Sequence, residues 1–564
     1  MNRQRQILFL VLLTLLLAAG FPASGQTLKP GPQVMTFFSD VDDSEQPYGL
    51  YLPANFSPKK KYPLVISLHG AGSNHRLNLR RVFGKSNLEG ENDVEATRYF
   101  PAWPGVNVIV ASPLARGTMS YQGIAEKDVY DVLADVKKRF PIDEDRVYLT
   151  GLSMGGGGTL WLGLTRPDVW AAIAPVCPAG PPETLDFAPN ALNLPVHIFQ
   201  GGADPVVEPA GVRDWATRLQ NFGTKVEYTE YPGVGHNSWE NAYKDGSIFV
   251  WLTQFKKNRF PDRVRFLTSR YKYGNAYWIR IDQLTPGTLA SIDAKFVGQN
   301  RLEITTSELS AVTLDLAGHP KFKANRPLEI TIDGAALTAR AADPISLSRR
   351  DGTWGTEAYQ AAPGTKRLGE EGPIDEAISS RHIYVYGSGG NPPREELQAR
   401  REQAAKAADW SAQRVRLLFY PRVVADRDVR PSDLESSNLI LFGTKETNTL
   451  IEKFSDRLPF HLDPAGAAGY GLVYVYPVDG HYVVISSGLP WWTPPPVAPA
   501  PTAPAPRRFL FLGGTAQAFT GFKDFILFKD SAATAIADGR FDNDWRIPEA
   551  DAEKLRASGA VIVK

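Results

Sequence analysis

The clearest chemical signal in this chain is a serine between two glycines. Residues 151–155 read Gly-Leu-Ser-Met-Gly, after a strand-like run at 146–150 and before a helix-like run that continues to 165. A nucleophile at a sharp strand-to-helix turn needs small residues two positions before and two positions after it, and this pattern supplies both. Ser153 is therefore the candidate nucleophile. The glycines at 155–158 also predict close backbone contact, since glycine costs a helix up to ~1 kcal/mol relative to alanine.

A serine hydroxyl needs a base to take its proton and a carboxylate to orient that base. Of the eight histidines, only His236 lies in a glycine-rich loop after the strand-like run at 226–231, the last such run before residue 260. The candidate acid is Asp204, which comes directly after the preceding strand-like run. Asp186 and Asp214 are the alternatives. Asp204 itself has a second interpretation, as a turn residue that precedes a proline.

Acyl transfer also requires hydrogen-bond donors for the oxygen that becomes negative. The sequence His-Gly-Ala-Gly at 69–72 follows an early strand-like run, where such a loop is expected. We predict that the backbone N–H groups of Ala71 and Met154 form this oxyanion hole, with Gly70 as a further candidate donor. The alternative interpretation of 69–72 is an ordinary glycine turn.

Alternating strand-like and helix-like runs position these residues. Between 34 and 260, strands are predicted at 62–68, 106–111, 147–150, 170–175, 195–200 and 226–231. Apolar residues recur at helical spacing over 129–140 and 212–222. This alternation predicts an α/β fold with a mainly parallel sheet flanked by helices, and we assign residues 26–260 to this catalytic domain.

The pattern changes after residue 260. Strand-like runs without intervening helices predict a small β-rich domain over 261–340, and residues 341–375, rich in glycine, proline and charge, read as a linker. Residues 376–564 read as a second α/β unit of unknown role, with strands at 383–386, 415–420, 439–442, 472–476 and 482–486. The proline-rich loop 494–506 is predicted to be an exposed spacer, with a docking segment as the alternative.

The amino-acid composition limits the possible binding partners and the cellular compartment of the protein. The chain has 62 Lys+Arg against 61 Asp+Glu, so no general charge attracts nucleic acid or an anionic membrane. Residues 1–25 combine basic residues, an apolar run and small residues, which predicts a cleaved signal peptide and a secreted or periplasmic protein without a membrane span. An uncleaved anchor is the alternative. The single cysteine, Cys177, excludes an intramolecular disulfide and is predicted to be a small buried residue.

Residues 35–260 resemble the α/β-hydrolase superfamily, within it the esterase and prolyl-oligopeptidase-like group that includes feruloyl esterases and polyhydroxyalkanoate depolymerases. The resemblance rests on the motifs at 69–72, 151–156, 202–204 and 235–236, and on the segment around Arg116. It implies that Ser153 is acylated, that His236 acts as base and then as acid, and that Asp204 orients His236. Prolyl oligopeptidases carry a β-propeller before the hydrolase domain, and this sequence has none there.

Together these patterns predict a serine hydrolase that cleaves a carboxylic ester, either a small molecule or an acyl or feruloyl ester on a polysaccharide. Arg116 and Trp239 are candidate substrate-binding residues, and the tryptophans at 161 and 170 also motivate an aromatic or sugar substrate. No His-Glu-x-x-His or paired Cys-x-x-Cys motif occurs, so no metal and no cofactor is expected. A peptidase or amidase with the same triad is the first alternative. A binding protein with a vestigial hydrolase domain is the second.

Overall fold

The computed structural model describes residues 29–340, 344–410, 419–495 and 515–564. The predicted signal segment 1–25, most of the predicted strand 415–420 and most of the proline-rich loop 494–506 lie outside the described residues. The described residues form three units, each built around its own sheet or pair of sheets. No helix among them is both long enough and apolar enough to cross a membrane.

The first unit contains an eight-stranded sheet. Its strands are β1 Gly31–Ser39, β2 Ser44–Leu52, β3 Tyr62–Leu68, β4 Ile109–Pro113, β5 Ile142–Leu152, β6 Ala172–Val176, β7 Val196–Gly201 and β8 Val226–Tyr231. They lie in the order β1-β2-β4-β3-β5-β6-β7-β8. The hairpin β1–β2 is antiparallel, and β2 pairs with β4 in antiparallel register. The other six strands, β3 to β8, are parallel to one another. Strands β3, β4 and β6 are buried along their whole length, as a sheet covered on both faces requires.

Helices cover both faces of this sheet. They are α1 His75–Val82, α2 Asp93–Ala96, α3 Ile124–Arg139, α4 Met154–Thr165, α5 Pro209–Asn221, α6 Trp239–Ala242 and α7 Ser247–Leu252, with a 3₁₀ segment at Pro182–Asn193. The predicted α/β class with a mainly parallel sheet is confirmed. The structure adds β1 and β2, which the sequence analysis did not predict because their polar residues, glycines and prolines hide the strand pattern.

The second unit is a sandwich of two five-stranded sheets. Its strands are β9 Arg263–Thr268, β10 Asn275–Ala276, β11 Ile279–Leu284, β12 Ala290–Gly298, β13 Arg301–Ser307, β14 Leu309–Leu314, β15 Leu328–Ile332, β16 Ala335–Ala339, β17 Ile345–Arg350 and β18 Thr353–Gly355. One sheet has the order β16-β15-β13-β12-β9 and the other β10-β11-β14-β17-β18. Apolar side chains from both sheets share one core.

The predicted linker 341–375 is wrong in its first part. Strand β17 pairs with β14, and β18 pairs with β17, so residues 345–355 belong to the sandwich. Ile345 and Leu347 point into the core, whereas the serines and arginines between and after them made this segment look like a polar connection.

The third unit contains a seven-stranded mixed sheet. Its elements are α8 Ile374–Ala377, β19 His382–Tyr386, α9 Arg394–Ala407, β20 Arg422–Ala425, α10 Pro431–Ser436, β21 Asn438–Phe442, α11 Thr449–Phe454, β22 Phe460–Leu462, β23 Tyr470–Val478, β24 His481–Gly488, β25 Phe525–Lys529, β26 Ala535–Gly539, α12 Glu549–Ala557 and β27 Val561–Val563. The sheet order is β20-β19-β21-β24-β23-β25-β26, and β22 pairs with β27 separately. Strands β19, β20, β21 and β24 are parallel to one another. Strands β23, β25 and β26 extend the sheet by antiparallel pairing with their neighbours.

Candidate active site

Ser153 lies at a strained turn between β5 and α4. Its backbone has φ 55° and ψ −117°, a conformation that costs a non-glycine residue free energy and persists only where the surroundings impose it. The surroundings here are close backbone contacts. A Cβ on Gly155 would lie 2.3 Å from the carbonyl oxygen of Leu68, so only glycine allows α4 to approach β3 this closely. The turn therefore lifts the serine side chain above the carboxyl edge of the sheet.

The structure brings together the three side chains proposed for the triad. The Ser153 hydroxyl donates to Nε2 of His236 at 2.9 Å. Nδ1 of His236 donates to Oδ2 of Asp204 at 2.8 Å. The Asp204 side chain is inaccessible to solvent, whereas 21% of the His236 side chain is exposed. This arrangement fits a buried carboxylate that orients an imidazole at the surface.

The Asp204 carboxylate is also held by its own loop. Oδ1 accepts hydrogen bonds from the backbone N–H groups of Val206 and Val207 at 2.8 and 2.9 Å, and Oδ2 accepts one from the Gln200 amide at 3.2 Å. The turn interpretation of Asp204 and its contact with His236 therefore both hold. The two alternative acids lie elsewhere: Asp186 is exposed, and Asp214 forms an ion pair with Arg218 on the surface of α5.

The candidate oxyanion donors flank the serine. Met154 is the first residue of α4. Its backbone N–H has no partner within the helix and lies at the positive end of the helix dipole. In the described part of the chain, neither its amide nor that of Ala71 has a hydrogen-bond acceptor. Gly70 packs against the turn, since a Cβ there would lie 3.4 Å from the Ser153 Cβ. The structure thus places all three candidates beside Ser153 or in the adjoining loop.

A second loop, between β4 and α3, fixes the loop that carries Ala71. The Gly72 amide donates to the Thr118 hydroxyl at 2.8 Å, and the Tyr121 hydroxyl donates to the His69 carbonyl at 2.9 Å. Both Tyr121 and His69 are buried, so these bonds are shielded from water.

Arg116, predicted to bind substrate, does not reach a substrate surface. Its side chain is completely buried and forms ion pairs with Asp42 at 2.7 Å and Asp128 at 2.8 Å. Burial raises the pKa of Asp128 to about 6, and the Arg116 guanidinium opposes that rise. The prediction for Arg116 is wrong because its carboxylate partners, from a turn and a helix, hold it inside the protein. These ion pairs connect the loop between β4 and α3 to the β1–β2 turn and to α3.

Trp239 remains a candidate for substrate contact. Its half-buried ring lies nearly perpendicular to the His236 ring, with the ring centres 5.5 Å apart. The Arg81 guanidinium lies 5.5 Å from the centre of the Trp239 ring, on the side of α1. The other two tryptophans belong to the core: Trp161 donates to Glu126, and Trp170 donates to the Leu162 carbonyl.

Cys177 is a neighbour of the triad that the sequence analysis did not place there. It follows β6, is completely buried, and its thiol lies beside the hydroxyl of Ser238. Burial raises the pKa of the Cys177 thiol to about 12, so it is protonated at neutral pH. The available signal was its position after a predicted strand, the position that Asp204 and His236 share.

Comparisons with known proteins agree on the class of the first unit. A family described as Phospholipase/Carboxylesterase matches residues 116–253. A bifunctional acetylxylan esterase/xylanase of Neocallimastix patriciarum is 27% identical over 202 residues, which are 36% of this chain and 27% of that protein. A probable carboxylesterase of Oryza sativa is 28% identical over 163 residues, which are 28% of this chain and 59% of that protein. A solved thermostable esterase is 27% identical with a TM-score of 0.32, and the match covers 40% of this chain and 63% of that chain.

The chain spans about a quarter of the first of these relatives and less than two thirds of the second. The family match contains Ser153, Asp204 and His236, in the chain order typical of α/β-hydrolases. It also agrees with the mainly parallel sheet and with the strained turn that follows β5. The relatives support the prediction of a carboxylic ester hydrolase. The eight-stranded unit of this chain therefore has the α/β-hydrolase fold.

Proposed function

We propose that the α/β-hydrolase domain cleaves a carboxylic ester through an acyl-enzyme on Ser153. The observation that carries this proposal is the continuous hydrogen-bonded series from Ser153 through His236 to the buried carboxylate of Asp204. Such a series activates a hydroxyl that is otherwise a weak nucleophile. The esterase relatives support an ester as the bond that is cleaved.

In the proposed reaction, His236 takes the Ser153 proton while Oγ attacks the ester carbonyl carbon. The carbonyl oxygen becomes negative, and the amides of Ala71 and Met154 donate to it, each contributing ~2.7–4 kcal/mol of transition-state stabilisation. His236 then protonates the departing alcohol, and the acyl group remains on Ser153. Water, deprotonated by His236, attacks the acyl-enzyme and releases the acid.

For the substrate we propose an acyl or feruloyl ester carried by a polysaccharide, cleaved outside the cytoplasm. The Trp239 ring beside His236 supports an aromatic or sugar group, because flat apolar rings pack on tryptophan. The acetylxylan esterase relative supports an acylated polysaccharide. The basic and apolar pattern of residues 1–25 supports export.

Hydrolysis of a short-chain aryl ester and of the matching aryl amide tests this proposal. We expect wild-type protein to hydrolyse the ester, and Ser153→Ala to lose at least about 10⁴-fold in kcat, because the nucleophile is removed. The matched control is Ser432→Ala, the same change at an exposed site on α10, which should retain wild-type activity. Equal activity in Ser153→Ala would exclude the mechanism, and faster cleavage of the amide than of the ester would favour the peptidase alternative.

A further inference from the structure

Three potential metal ligands meet on the side of His236 that faces Asp204. One donor atom each from Cys177, Asp204 and His236 lies within 4.8 Å of the other two. The described residues contain no other such group of three histidine, cysteine or acidic side chains. The three residues follow β6, β7 and β8 in turn, so the order of parallel strands brings them to one edge of the sheet.

We propose that Cys177, Asp204 and His236 form an inhibitory binding site for a thiophilic divalent cation such as Zn²⁺. A thiolate, an imidazole nitrogen and a carboxylate oxygen are all ligands that zinc accepts in proteins. With metal–ligand bonds of about 2.0–2.3 Å, a tetrahedral zinc site separates its donor atoms by about 3.3–3.8 Å. The spacings of up to 4.8 Å therefore need to shorten by at most ~1.5 Å, and the 2.8 Å between Nδ1 of His236 and Oδ2 of Asp204 needs to lengthen by about 0.5 Å. Ser238, with a buried hydroxyl beside the thiol, or a water molecule completes the coordination.

The site is reached through His236. The Cys177 and Asp204 side chains are buried, whereas His236 is partly exposed on a loop that contains two glycines, at 233 and 235. A Cβ at either glycine would have no atom within 4 Å, so this side of the loop is open. The loop backbone is held on its other side, where the Ala203 amide donates to the Val234 carbonyl at 2.9 Å. A small displacement of the His236 side chain, with the loop backbone in place, admits a cation between Nδ1 and the Asp204 carboxylate.

A cation bound there stops the proposed reaction because it moves the imidazole proton of His236 to Nε2. The cation replaces the hydrogen bond between Nδ1 of His236 and Asp204, so the ring proton moves to Nε2. An Nε2 atom that carries a proton cannot accept another from Ser153. The Cys177 thiol loses its proton to solvent when sulfur binds the cation, so one proton is released for each cation bound. The proposed function enters this inference only through the loss of hydrolysis.

Cation selectivity follows from the ligands. Sulfur and nitrogen donors favour Zn²⁺ and Co²⁺, whereas Mg²⁺ binds oxygen ligands and keeps most of its water. We expect Zn²⁺ to inhibit ester hydrolysis reversibly, with activity restored by a chelator, and Mg²⁺ at the same concentration to have no effect. In Cys177→Ala, inhibition by Zn²⁺ should be weaker by about 100-fold or more, because a direct ligand is lost. Equal inhibition of wild type and Cys177→Ala would overturn the proposal.

A second measurement does not depend on activity or on the stability of a cysteine variant. Co²⁺ added to the full chain carrying Ser153→Ala should give the near-ultraviolet absorption band of a cobalt–thiolate bond, since Cys177 is the only cysteine in the chain. Absence of that band would overturn the site. A band in Ser153→Ala, together with a wild-type protein that hydrolyses no ester, would support the site and reject the proposed function. The two proposals can therefore fail separately.

Discussion

At the scale of single residues, the two carboxylate oxygens of Asp204 have different partners. Oδ1 accepts from the backbone amides of Val206 and Val207 and fixes the loop. Oδ2 accepts from His236 and from Gln200. A substitution that removes both oxygens would disturb the loop as well as the imidazole, so it could not separate structure from catalysis. Asparagine separates them, because it keeps one oxygen for the loop.

We predict that Asp204→Asn lowers kcat for ester hydrolysis by about 10⁴-fold, the loss that the corresponding substitution causes in serine proteases. The asparagine oxygen should occupy the Oδ1 position, and its NH₂ group then faces Nδ1 of His236. A donor at that position requires Nδ1 to accept, which leaves the proton on Nε2 and prevents it from taking the Ser153 proton. Initial rates over a range of ester concentrations separate kcat from KM.

The matched control is Asp214→Asn, the same change at the acid that the sequence offered as an alternative. Asp214 is an exposed partner of Arg218, so its loss should change neither kcat nor the midpoint of thermal unfolding measurably. A similar fall in kcat in both variants, or an unchanged kcat in Asp204→Asn, would contradict the assignment of Asp204.

The sequence located Ser153, Asp204 and His236 because each follows a strand-like run, and parallel strands bring their carboxyl ends to one edge. Their catalytic roles remain predictions. The sequence could not place Arg116, because burial of that guanidinium depends on Asp42 in the β1–β2 turn and on Asp128 in α3. Neither partner can be identified from the sequence, since an ion pair between separate elements produces no local sequence pattern.

At the scale of elements, the contact between α4 and its neighbours determines where Ser153 points. We predict that Gly155→Ala destabilises the protein by roughly 1–3 kcal/mol and lowers kcat, because its Cβ would lie 2.3 Å from the Leu68 carbonyl oxygen. Backbone cannot yield as a side chain can, so α4 must move and carry the Met154 amide with it. Chemical denaturation and ester hydrolysis on the same preparation measure both effects.

Gly163→Ala on the same helix is the matched control. Its Cβ would meet the Cδ1 atom of Ile173 at 2.7 Å, which is the mobile end of a side chain. Alanine also favours a helix over glycine by about 1 kcal/mol, so the two effects offset each other. We expect this variant to keep wild-type kcat. Normal activity and stability in Gly155→Ala would show that the elbow tolerates a displaced helix.

The strands that the sequence predicted best are those that are rich in apolar residues. The predicted bounds of β3 and β8 match the structure residue for residue, and the core strands β21 and β24 contain their predicted runs. The pattern failed at β17 and β18, which are short and place polar residues on the outer face of the sandwich. Their pairing depends on β14, a distant strand, so tertiary context rather than local sequence determines them.

At the scale of the whole molecule, the three units share buried side chains. Tyr273, from the sandwich unit, packs in the core of the α/β-hydrolase domain and donates to the buried carboxylate of Glu126 at 2.7 Å. Ile124 of the α/β-hydrolase domain belongs in turn to the core of the third unit. The catalytic domain therefore depends on the other units for part of its packing, and changes at their junction should affect the stability of the whole chain.

Glu371 lies buried at that junction. Its carboxylate accepts from the backbone amides of Tyr271 and Lys272 in the sandwich unit, at 2.5 and 2.7 Å. Its own amide donates to the Tyr482 hydroxyl of the third unit at 2.6 Å. Burial raises the pKa of Glu371 to about 8, and the neighbouring carboxylate of Glu376 adds to this rise. The Arg270 guanidinium and the two amides oppose it.

We predict that the stability of Glu371→Gln rises relative to that of wild type as the pH rises from 5 to 8. In that window the folded protein keeps the Glu371 proton while the unfolded chain, with a pKa near 4.5, has lost it, so wild-type stability falls by up to ~1.4 kcal/mol per pH unit. Glutamine does not ionise, so it avoids this loss, although its NH₂ group faces one of the two backbone amides and lowers the stability by the same amount at every pH. Thermal unfolding at pH 5, 6.5 and 8 measures the difference, with the exposed Glu357→Gln as the control that should show no trend. A difference between Glu371→Gln and wild type that stays constant with pH would mean that Glu371 is already ionised in the folded protein, and that Arg270 and the two backbone amides outweigh its burial.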